Sequence, residues 1–279
     1  MNGMRARAMK NVGMMLLMGL ATLIVLTPLI MIFFHIVKMG AGSINLDFFT
    51  QIPSPPGESG GGMANGMAGS VILILMASLL GIPTGIFGAL YLSEYEGNRL
   101  ASIIRFCADV LSGVPSIITG LVAYTLIVVP MHGFSAIAGA FALGLIMIPI
   151  VLRTTEEQLK MVPATLREAS LALGVPFWRT TLQVTLRSGL KGIITGILLS
   201  IARVAGETAP LLFTALGNQF WSKKITEPMA ALPLQIFNFA ISPYDDWHRL
   251  AWGGALVLVV VMFGVSLTAR WFGRDRSIG

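Results

Sequence analysis

Long runs of apolar residues alternate with shorter polar segments along this chain. Each run is near the roughly 20 residues that an α-helix needs to cross the apolar core of a bilayer. Backbone polar groups in that layer must be satisfied within their own segment, which favours helices. The pattern predicts an all-α, polytopic membrane protein with six transmembrane helices in a single domain, 1–279. The predicted spans are 12–37, 69–92, 103–129, 134–152, 193–216 and 250–271.

Three of the connections between these runs are long. The first, 38–68, carries three prolines and three consecutive glycines, which predicts an exposed connector and not a regular helix. The last, 217–249, contains an apolar stretch at 229–241 that we expect to form a short interfacial helix. The one between them, 153–192, carries signals for helix starts and stops.

These signals predict two short helices in the 153–192 connection. Thr165 and Glu168 have the spacing of a capping box, in which each side chain accepts from the other residue's backbone N–H. Gly174 supplies the left-handed residue that ends the first helix. Pro176 then suits the start of a second helix at 177–186.

An apolar ridge is predicted on the first of these short helices. Leu166, Ala169 and Leu173 fall on one helical face, and Glu168 turns elsewhere. Such a ridge suits contact with a soluble partner protein or packing on the inner surface of the chain itself. Both interpretations are open.

The distribution of Lys and Arg predicts which connections face the cytoplasm, because cytoplasmic flanks of membrane spans carry an excess of them. With both termini inside, fourteen basic residues lie on the cytoplasmic side and four on the outer side. The 153–192 connection is then cytoplasmic, and the other two long connections face outward. The inner set is Arg5, Arg7, Lys10, Arg99, Arg105, Arg153, Lys160, Arg167, Arg179, Arg187, Lys191, Arg270, Arg274 and Arg276, and the outer set is Lys38, Lys223, Lys224 and Arg249.

Composition agrees with a membrane protein and argues against other classes. Hydrophobic residues make up 55% of the chain, charged residues only 11%, and the mean hydropathy is +0.80. The net charge of +6 comes from the flanks of the spans and not from a basic patch with interleaved aromatics, so nucleic-acid binding is not expected. A lone Cys107 and three scattered histidines predict neither a disulfide nor a metal site.

One charged pair is predicted to lie inside the membrane. Arg203 is ten residues beyond Ile193, about 15 Å along the fifth span, and Glu207 follows on the same helix face. Charges at that depth are costly unless they face a cavity or a partner. A guanidinium donates two parallel hydrogen bonds to an oxyanion and keeps its charge. The pair is interpreted as part of an anion path or as a structural lock, and both roles combine if it opens during transport.

Two further groups of charges lie near the cytoplasmic ends of spans. Arg153 ends the fourth span and is interpreted as a basic flank at the lipid headgroups or as an anion contact at the exit of the path. Arg105 and Asp109 are four residues apart near the inner end of the third span. We expect them to form a structural ion pair.

Prolines and small residues inside the spans predict bends and close packing. Pro115 in the third span and Pro210 in the fifth each remove a backbone hydrogen bond, so each should kink its helix as a hinge or as a static bend. Gly192, Gly196 and Ser200 recur every four residues on the fifth span. That spacing favours close packing against another helix, including one from a partner subunit.

The 153–192 connection also carries a family pattern. The triplet 168–170 (EAS), followed by Gly174 and by the triplet 184–186 (VTL), resembles the cytoplasmic EAA loop of binding-protein-dependent ABC importer permeases. In that family the loop forms coupling helices that dock into a cleft of a separate ATP-binding subunit. One position departs from the family pattern, since Arg187 stands where a proline is usual.

Three other stretches are similar to the phosphate-specific branch of these permeases. The resemblance implies a type I importer fold, a phosphate path, and a location in a bacterial-type inner membrane. It also implies a second homologous permease, two ATPase subunits and an external phosphate-binding protein as partners. The stretches are 60–70, with Gly60, Gly61, Gly62, Asn65, Gly69 and Ser70; 109–120 (DVLSGVPSIITG); and 202–212 (ARVAGETAPLL).

The source of energy is expected to lie outside this chain. No G-x-x-x-x-G-K-[ST] motif occurs, so ATP would be bound by a partner, and neither a cofactor nor a catalytic residue is expected here. Alternatives are a permease for another small oxyanion such as sulfate or molybdate, and an ion-driven secondary transporter. A membrane scaffold without transport would leave Arg203 and Glu207 without a use.

Overall fold

The computed structural model describes residues 2–58 and 60–273, which fold into helices joined by turns. Arg274 and Arg276, counted above with the cytoplasmic flank, lie outside these residues. The helices are α1 Asn2–Gly40, α2 Leu46–Thr50, α3 Ala64–Glu94, α4 Arg99–Gly113, α5 Ser116–Met131, α6 Ala136–Lys160, α7 Ala164–Ala172, α8 Phe177–Ala205, α9 Ala209–Leu212, α10 Leu232–Ala240 and α11 Asp245–Gly273.

Six spans follow from the length and the composition of these helices. Five of them, α1, α3, α6, α8 and α11, are each long and apolar enough to cross a membrane. The bent pair of α4 and α5 passes the same test when taken together and forms the sixth. The all-α architecture and the six-span prediction are confirmed.

The third span is broken, whereas the sequence predicted one helix over 103–129. α4 and α5 meet at an angle of 106°. Val114 and Pro115 between them have extended ψ values of 129° and 136°. Proline has no N–H to continue the helix and disfavours helical conformation at the residue before it, so α4 ends at Gly113.

The fifth span also differs from the predicted 193–216. α8 begins at Phe177, so the second short helix predicted at 177–186 is the first part of this long helix and not a separate element. α8 ends at Ala205, and the chain re-enters a helical turn only at Ala209. A continuous helix would bring the ring of Pro210 against the carbonyl of Gly206, which explains the early end.

The centre of the bundle is the packing of α3, α6 and α8. A Cβ added to Gly81 of α3 would lie 2.8 Å from Cβ of Met147, and one added to Gly85 would lie 2.7 Å from Cβ of Val151. Helices approach this closely only where one of them lacks side chains. The main core cluster lies here, and its buried side chains join α3 to α6.

The connectors opposite α7 are more buried than the sequence predicted for 38–68. Phe48 of α2 and Met63 are fully buried. Asn65, at the start of α3, donates to the backbone carbonyls of Asn218 and Gln219 and accepts from Gln235 of α10 at 3.1 Å. α10 lies within the predicted helix at 229–241. These connectors therefore form a packed cap on the end of the bundle that is opposite α7.

α1 stands away from the bundle over most of its length. Its apolar side chains from Val12 to Phe34 are largely exposed within this chain. Contact with α11 is made near its C-terminal end, where the rings of His35 and Trp252 lie 4.9 Å apart. The remainder of α1 faces lipid or another subunit.

Candidate functional site

The predicted intramembrane pair lies at the end of α8. Arg203 is in the last turn of that helix, and Glu207 follows Gly206 after the helix has ended. Nη2 of Arg203 lies 3.6 Å from Oε1 of Glu207. The Arg203 side chain is 64% exposed, whereas that of Glu207 is 15% exposed. The carboxylate is thus held inside the chain, and the guanidinium is left on its surface.

Two glycines let α8 approach α6. A Cβ added to Gly196 would lie 2.8 Å from Cβ of Thr154, and one added to Gly192 would lie 2.7 Å from Cγ of Gln158. Rising numbers on α8 pair with falling numbers on α6, so the helices run antiparallel. Both glycines therefore pack within this chain.

The depth of the charged pair follows from this packing. Beyond the two glycines, Val204 shares one core cluster with Leu143 of α6. Leu143 is the middle residue of the apolar run 134–152. Continuing the register of the two glycines by seven residues on each helix places Arg203 beside Met147, about four residues from the centre of that run.

An exposed guanidinium at this depth restricts what surrounds it. A charged side chain in the centre of a bilayer costs several kcal/mol unless it faces water, a cavity or a partner. We therefore expect the surface around Arg203 to face an aqueous path or another protein and not lipid. The planar group is always protonated and offers paired donors, which suits a bound oxyanion.

The carboxylate of the pair lies where three helices meet. Glu207 borders a small cleft whose lining includes Ser70 and Leu73 of α3, Val204 of α8 and Ala231, which precedes α10. Oγ of Ser70 accepts a hydrogen bond from the backbone N–H of Leu232 at 2.7 Å. Movement of α3 relative to α8 would therefore change the shape of the cleft beside Glu207.

The two prolines lie at breaks and not at kinks within continuous helices. Pro115 lies directly before α5, at the 106° bend. Pro210 is buried in the short α9, and a Cβ added to Gly120 of α5 would lie 2.7 Å from its Cα. Pro210 thus ties α9 to α5. A hinge role for either proline stays a prediction.

A second group of charges gathers at the α7 end of the bundle around Glu156, whose side chain is 3% exposed. Nε of Arg105 donates to Oε1 of Glu156 at 2.8 Å. Nζ of Lys160 lies 3.0 Å from the same carboxylate, and Nη1 of Arg153 lies 3.6 Å from Oε2. Three cations therefore share one buried carboxylate.

The expected pair of Arg105 with Asp109 is wrong. Asp109 pairs with Arg153 of α6, while Arg105 bonds Glu156. A basic residue that precedes an acidic one by four positions is the weaker order on a helix. Arg105 and Asp109 of α4 therefore both bond to α6. Arg153 lies between two carboxylates, those of Asp109 and Glu156.

Glu156 is the residue that the sequence interpretation missed. The spacing Arg153-x-x-Glu156-x-x-x-Lys160 places one acid within one turn of two bases on the same helix. This spacing could have predicted the contacts of Glu156 with Arg153 and Lys160 from the sequence alone. The contact with the partner from α4 could not, because it depends on the bend at Pro115.

The predicted capping box in the connection is also wrong. α7 begins at Ala164, and Pro163 precedes it without any side-chain cap. Thr165 is already inside the first turn, where its hydroxyl cannot cap. The helix end agrees with the prediction, since Gly174 has a φ of +78°.

The apolar ridge of α7 is exposed. Leu173 is 84% and Leu166 45% accessible, and Glu168 and Ala169 are exposed beside them. Trp178, at the start of α8, adds a further exposed aromatic ring. The alternative that this ridge packs on the chain's own inner surface is therefore wrong, and the ridge is open to a partner.

Comparison with known families identifies the architecture. Residues 81–277 match the model of the family described as "binding-protein-dependent transport system inner membrane component". The matched region runs from the middle of α3 to beyond α11. It includes both charged groups and the α7 ridge.

Several relatives of this chain are named as phosphate transport permeases. It is 49% identical to the phosphate transport system permease protein PstA of Yersinia pestis, over 91% of this chain and 87% of that protein. It is 43% identical to the protein of the same name from Pasteurella multocida, over 97% of both. A probable PstA from Methanocaldococcus jannaschii is 34% identical over 96% of this chain and 95% of its own length.

Solved structures share the fold. The inward-facing MetNI methionine ABC transporter matches with a TM-score of 0.57 at 17% identity, over 74% of this chain and 90% of the other. An amino acid ABC transporter with histidines matches with a TM-score of 0.56 at 17% identity, over 75% and 91%. At this identity the likeness concerns the fold alone.

Proposed function

Because the chain belongs to the family of binding-protein-dependent transport system inner membrane components, we propose that it is the permease subunit of an ATP-driven importer for inorganic phosphate. The bacterial and archaeal relatives named above are phosphate transport permeases. The chain is a non-catalytic membrane subunit. It provides one part of the translocation path, and the hydrolysis of ATP belongs to a partner.

Arg203 is the observation that carries this proposal. Its exposed guanidinium lies level with the middle of α6, on a surface that lipid cannot cover without cost. A tetrahedral oxyanion that passes this surface receives two hydrogen bonds from the planar donor group. In the absence of the anion, Glu207 balances the charge, and the anion replaces this carboxylate when it arrives.

Arg153 takes a lesser part in the path. It stands on the α7 side, where an anion would leave, but Asp109 and Glu156 already balance its charge. An anion would have to displace two carboxylates from it, against one from Arg203. We therefore place Arg153 at the exit as a residue that orders the path and not as the anion's main contact.

The α7 ridge is the docking surface for the ATPase. Leu166, Ala169 and Leu173 present apolar contact area, with Glu168 beside them and Gly174 at the helix end. An exposed apolar helix face suits the groove of a soluble partner. The ridge supports the coupling role that the family resemblance implies.

We infer the assembly from the family and the orientation from the distribution of basic residues. An ATPase and a substrate-binding protein are implied by membership of the family. The complete set is a second homologous permease, two ATP-binding subunits and an extracytoplasmic phosphate-binding protein. The chain is a multi-pass protein of the inner membrane, and the excess of basic residues supports a cytoplasmic location for both termini and α7.

The test is uptake of labelled phosphate by the assembled complex in lipid vesicles that contain ATP. Arg203→Gln should lower the initial rate by at least about 100-fold, because two charge-assisted hydrogen bonds of about 1.5–3 kcal/mol each are lost. Lys191→Gln removes an exposed cation from the middle of α8, about 18 Å before Arg203, and serves as the matched control. Its rate should stay near the wild-type rate.

Three outcomes would contradict the proposal. Normal uptake by Arg203→Gln in an intact complex would remove Arg203 from the path. Faster uptake of sulfate than of phosphate, with the corresponding binding protein, would change the substrate. Uptake driven by an ion gradient with this chain alone would point to a secondary transporter.

A further inference from the structure

One turn at the end of α3 collects contacts from three other helices. Nη2 of Arg105 in α4 donates to the carbonyl of Leu92 at 3.2 Å. Nζ of Lys160 in α6 lies 3.1 Å from Oε1 of Glu96, just beyond the helix. The third contact comes from Arg167 of α7, the short helix in the 153–192 connection. Through this residue, α7 reaches a membrane span. We call residues 92–96 the α3 terminus.

The contact from α7 is a partly buried ion pair. Nη1 of Arg167 lies 3.4 Å from Oε2 of Glu94, and its Nη2 donates to Oγ of Ser93 at 3.0 Å. The Glu94 side chain is 7% exposed. Breaking a buried pair by removing one partner is more costly than losing an exposed one, because the remaining charge is left unpaired.

α7 therefore has a contact on each side. The ridge of Leu166 and Leu173 is exposed to a partner, whereas Arg167 reaches the α3 terminus. A second contact, between the hydroxyls of Ser170 and Thr180 at 2.9 Å, fixes α7 to the start of α8. Movement of α7 would therefore act on two spans, α3 and α8.

α3 connects this contact to the transport path. It is helical from Ala64 to Glu94, and Glu94 lies 21 residues beyond Leu73, about 32 Å along the axis. At its far end Ser70 and Leu73 border the cleft that holds Glu207. α3 is continuous across Pro83, and its close packing on α6 supports it on both sides of that residue.

We propose that the Arg167–Glu94 pair transmits movement of α7 to α3, and so to the Arg203–Glu207 pair. Arg167 and Glu94 are positioning residues, since neither lies near Arg203. When the ATPase moves α7, the pair moves the α3 terminus with it, and the displaced helix alters the cleft at Glu207. The proposal rests on the permease function proposed above.

The first test is a double-mutant cycle on the assembled complex in lipid vesicles. Arg167→Met and Glu94→Gln should each lower the phosphate moved per ATP hydrolysed about tenfold. The double variant should move as much phosphate per ATP as the more impaired of the two single variants, because both changes break the same link. Lys191→Gln, an exposed cation of the same connection that lies outside the family pattern, is the control and should leave the ratio unchanged.

A second measurement separates the link from the substrate. Hydrogen exchange at 64–74 should change when ATP is added to the wild-type complex and should not change in Arg167→Met. If this holds while the wild type carries no phosphate, the substrate is wrong and the link stands. Independent effects that multiply, a loss only in the amount of complex, or the same exchange response in both proteins would overturn the link.

Discussion

The two charged groups of this chain differ in how their charges are balanced. Around Glu156, the cations of α4 and α6 all find carboxylates within the chain, and the central acid is almost fully buried. Arg203 has one carboxylate at 3.6 Å and remains mostly exposed. The first group is complete without any other molecule, whereas the second is not.

This difference separates a structural role from a transport role. A saturated network holds α4 against α6 and gains nothing from an added anion. An exposed guanidinium level with the middle of a span is costly until something polar meets it. Substitutions in the two groups should therefore change different quantities.

The largest effect on stability is expected from Glu156→Gln. Loss of the carboxylate leaves Lys160 and Arg105 without their shared partner and should cost about 2 kcal/mol, because solvent around the half-exposed Lys160 weakens its part of the interaction. The thermal unfolding midpoint of the purified chain in detergent reports this loss. Glu157→Gln, the exposed neighbour, is the control. The rate of transport per assembled complex should stay near the wild-type rate. A large loss of transport with an unchanged unfolding midpoint would show that the Glu156 group also takes part in transport.

Arg203→Lys tests whether Arg203 contributes paired hydrogen bonds to transport or its charge alone. Lysine keeps the charge but loses the planar fork, so one of the two hydrogen bonds to the oxyanion is lost and uptake should fall about tenfold. Initial rates at saturating and at low phosphate report the change, and the unfolding midpoint should not move. Wild-type rates would mean that Arg203 supplies charge alone.

The smallest effect is expected from Arg153→Gln. Its side chain is partly exposed and shares Glu156 with two other cations, so the loss should stay below about 1 kcal/mol and uptake within about twofold. The same uptake and unfolding measurements apply. A loss as large as that of Arg203→Gln would make Arg153 a main contact of the anion.

The sequence predicted well what depends on long apolar runs and on local backbone preferences. Six spans, the left-handed Gly174 and the apolar ridge of α7 follow from periodicity and glycine chemistry, whereas the exposure of that ridge came only from the structure. The charge of Arg203 stood out because its neighbours are apolar. These features depend on residues close together in the chain.

What the sequence did not predict depends on long-range geometry. The break at Pro115 turns α4 so that Arg105 and Asp109 face α6, and their partners change with it. Pro210 ends α8 early because of a clash with the preceding turn, a stronger effect than a kink. The α3 terminus brings together residues from four helices, and no spacing in the chain shows that meeting.

The bend before α5 also sets how thick a barrier this subunit can form. α5 has three parts of 8, 5 and 3 residues, which together extend about 24 Å, less than the roughly 30 Å of a bilayer's apolar core. A helix shorter than the bilayer draws the lipid inward around it. The bilayer beside α5 is therefore thinner than the surrounding lipid unless α4, beyond the bend, supplies the rest of the span.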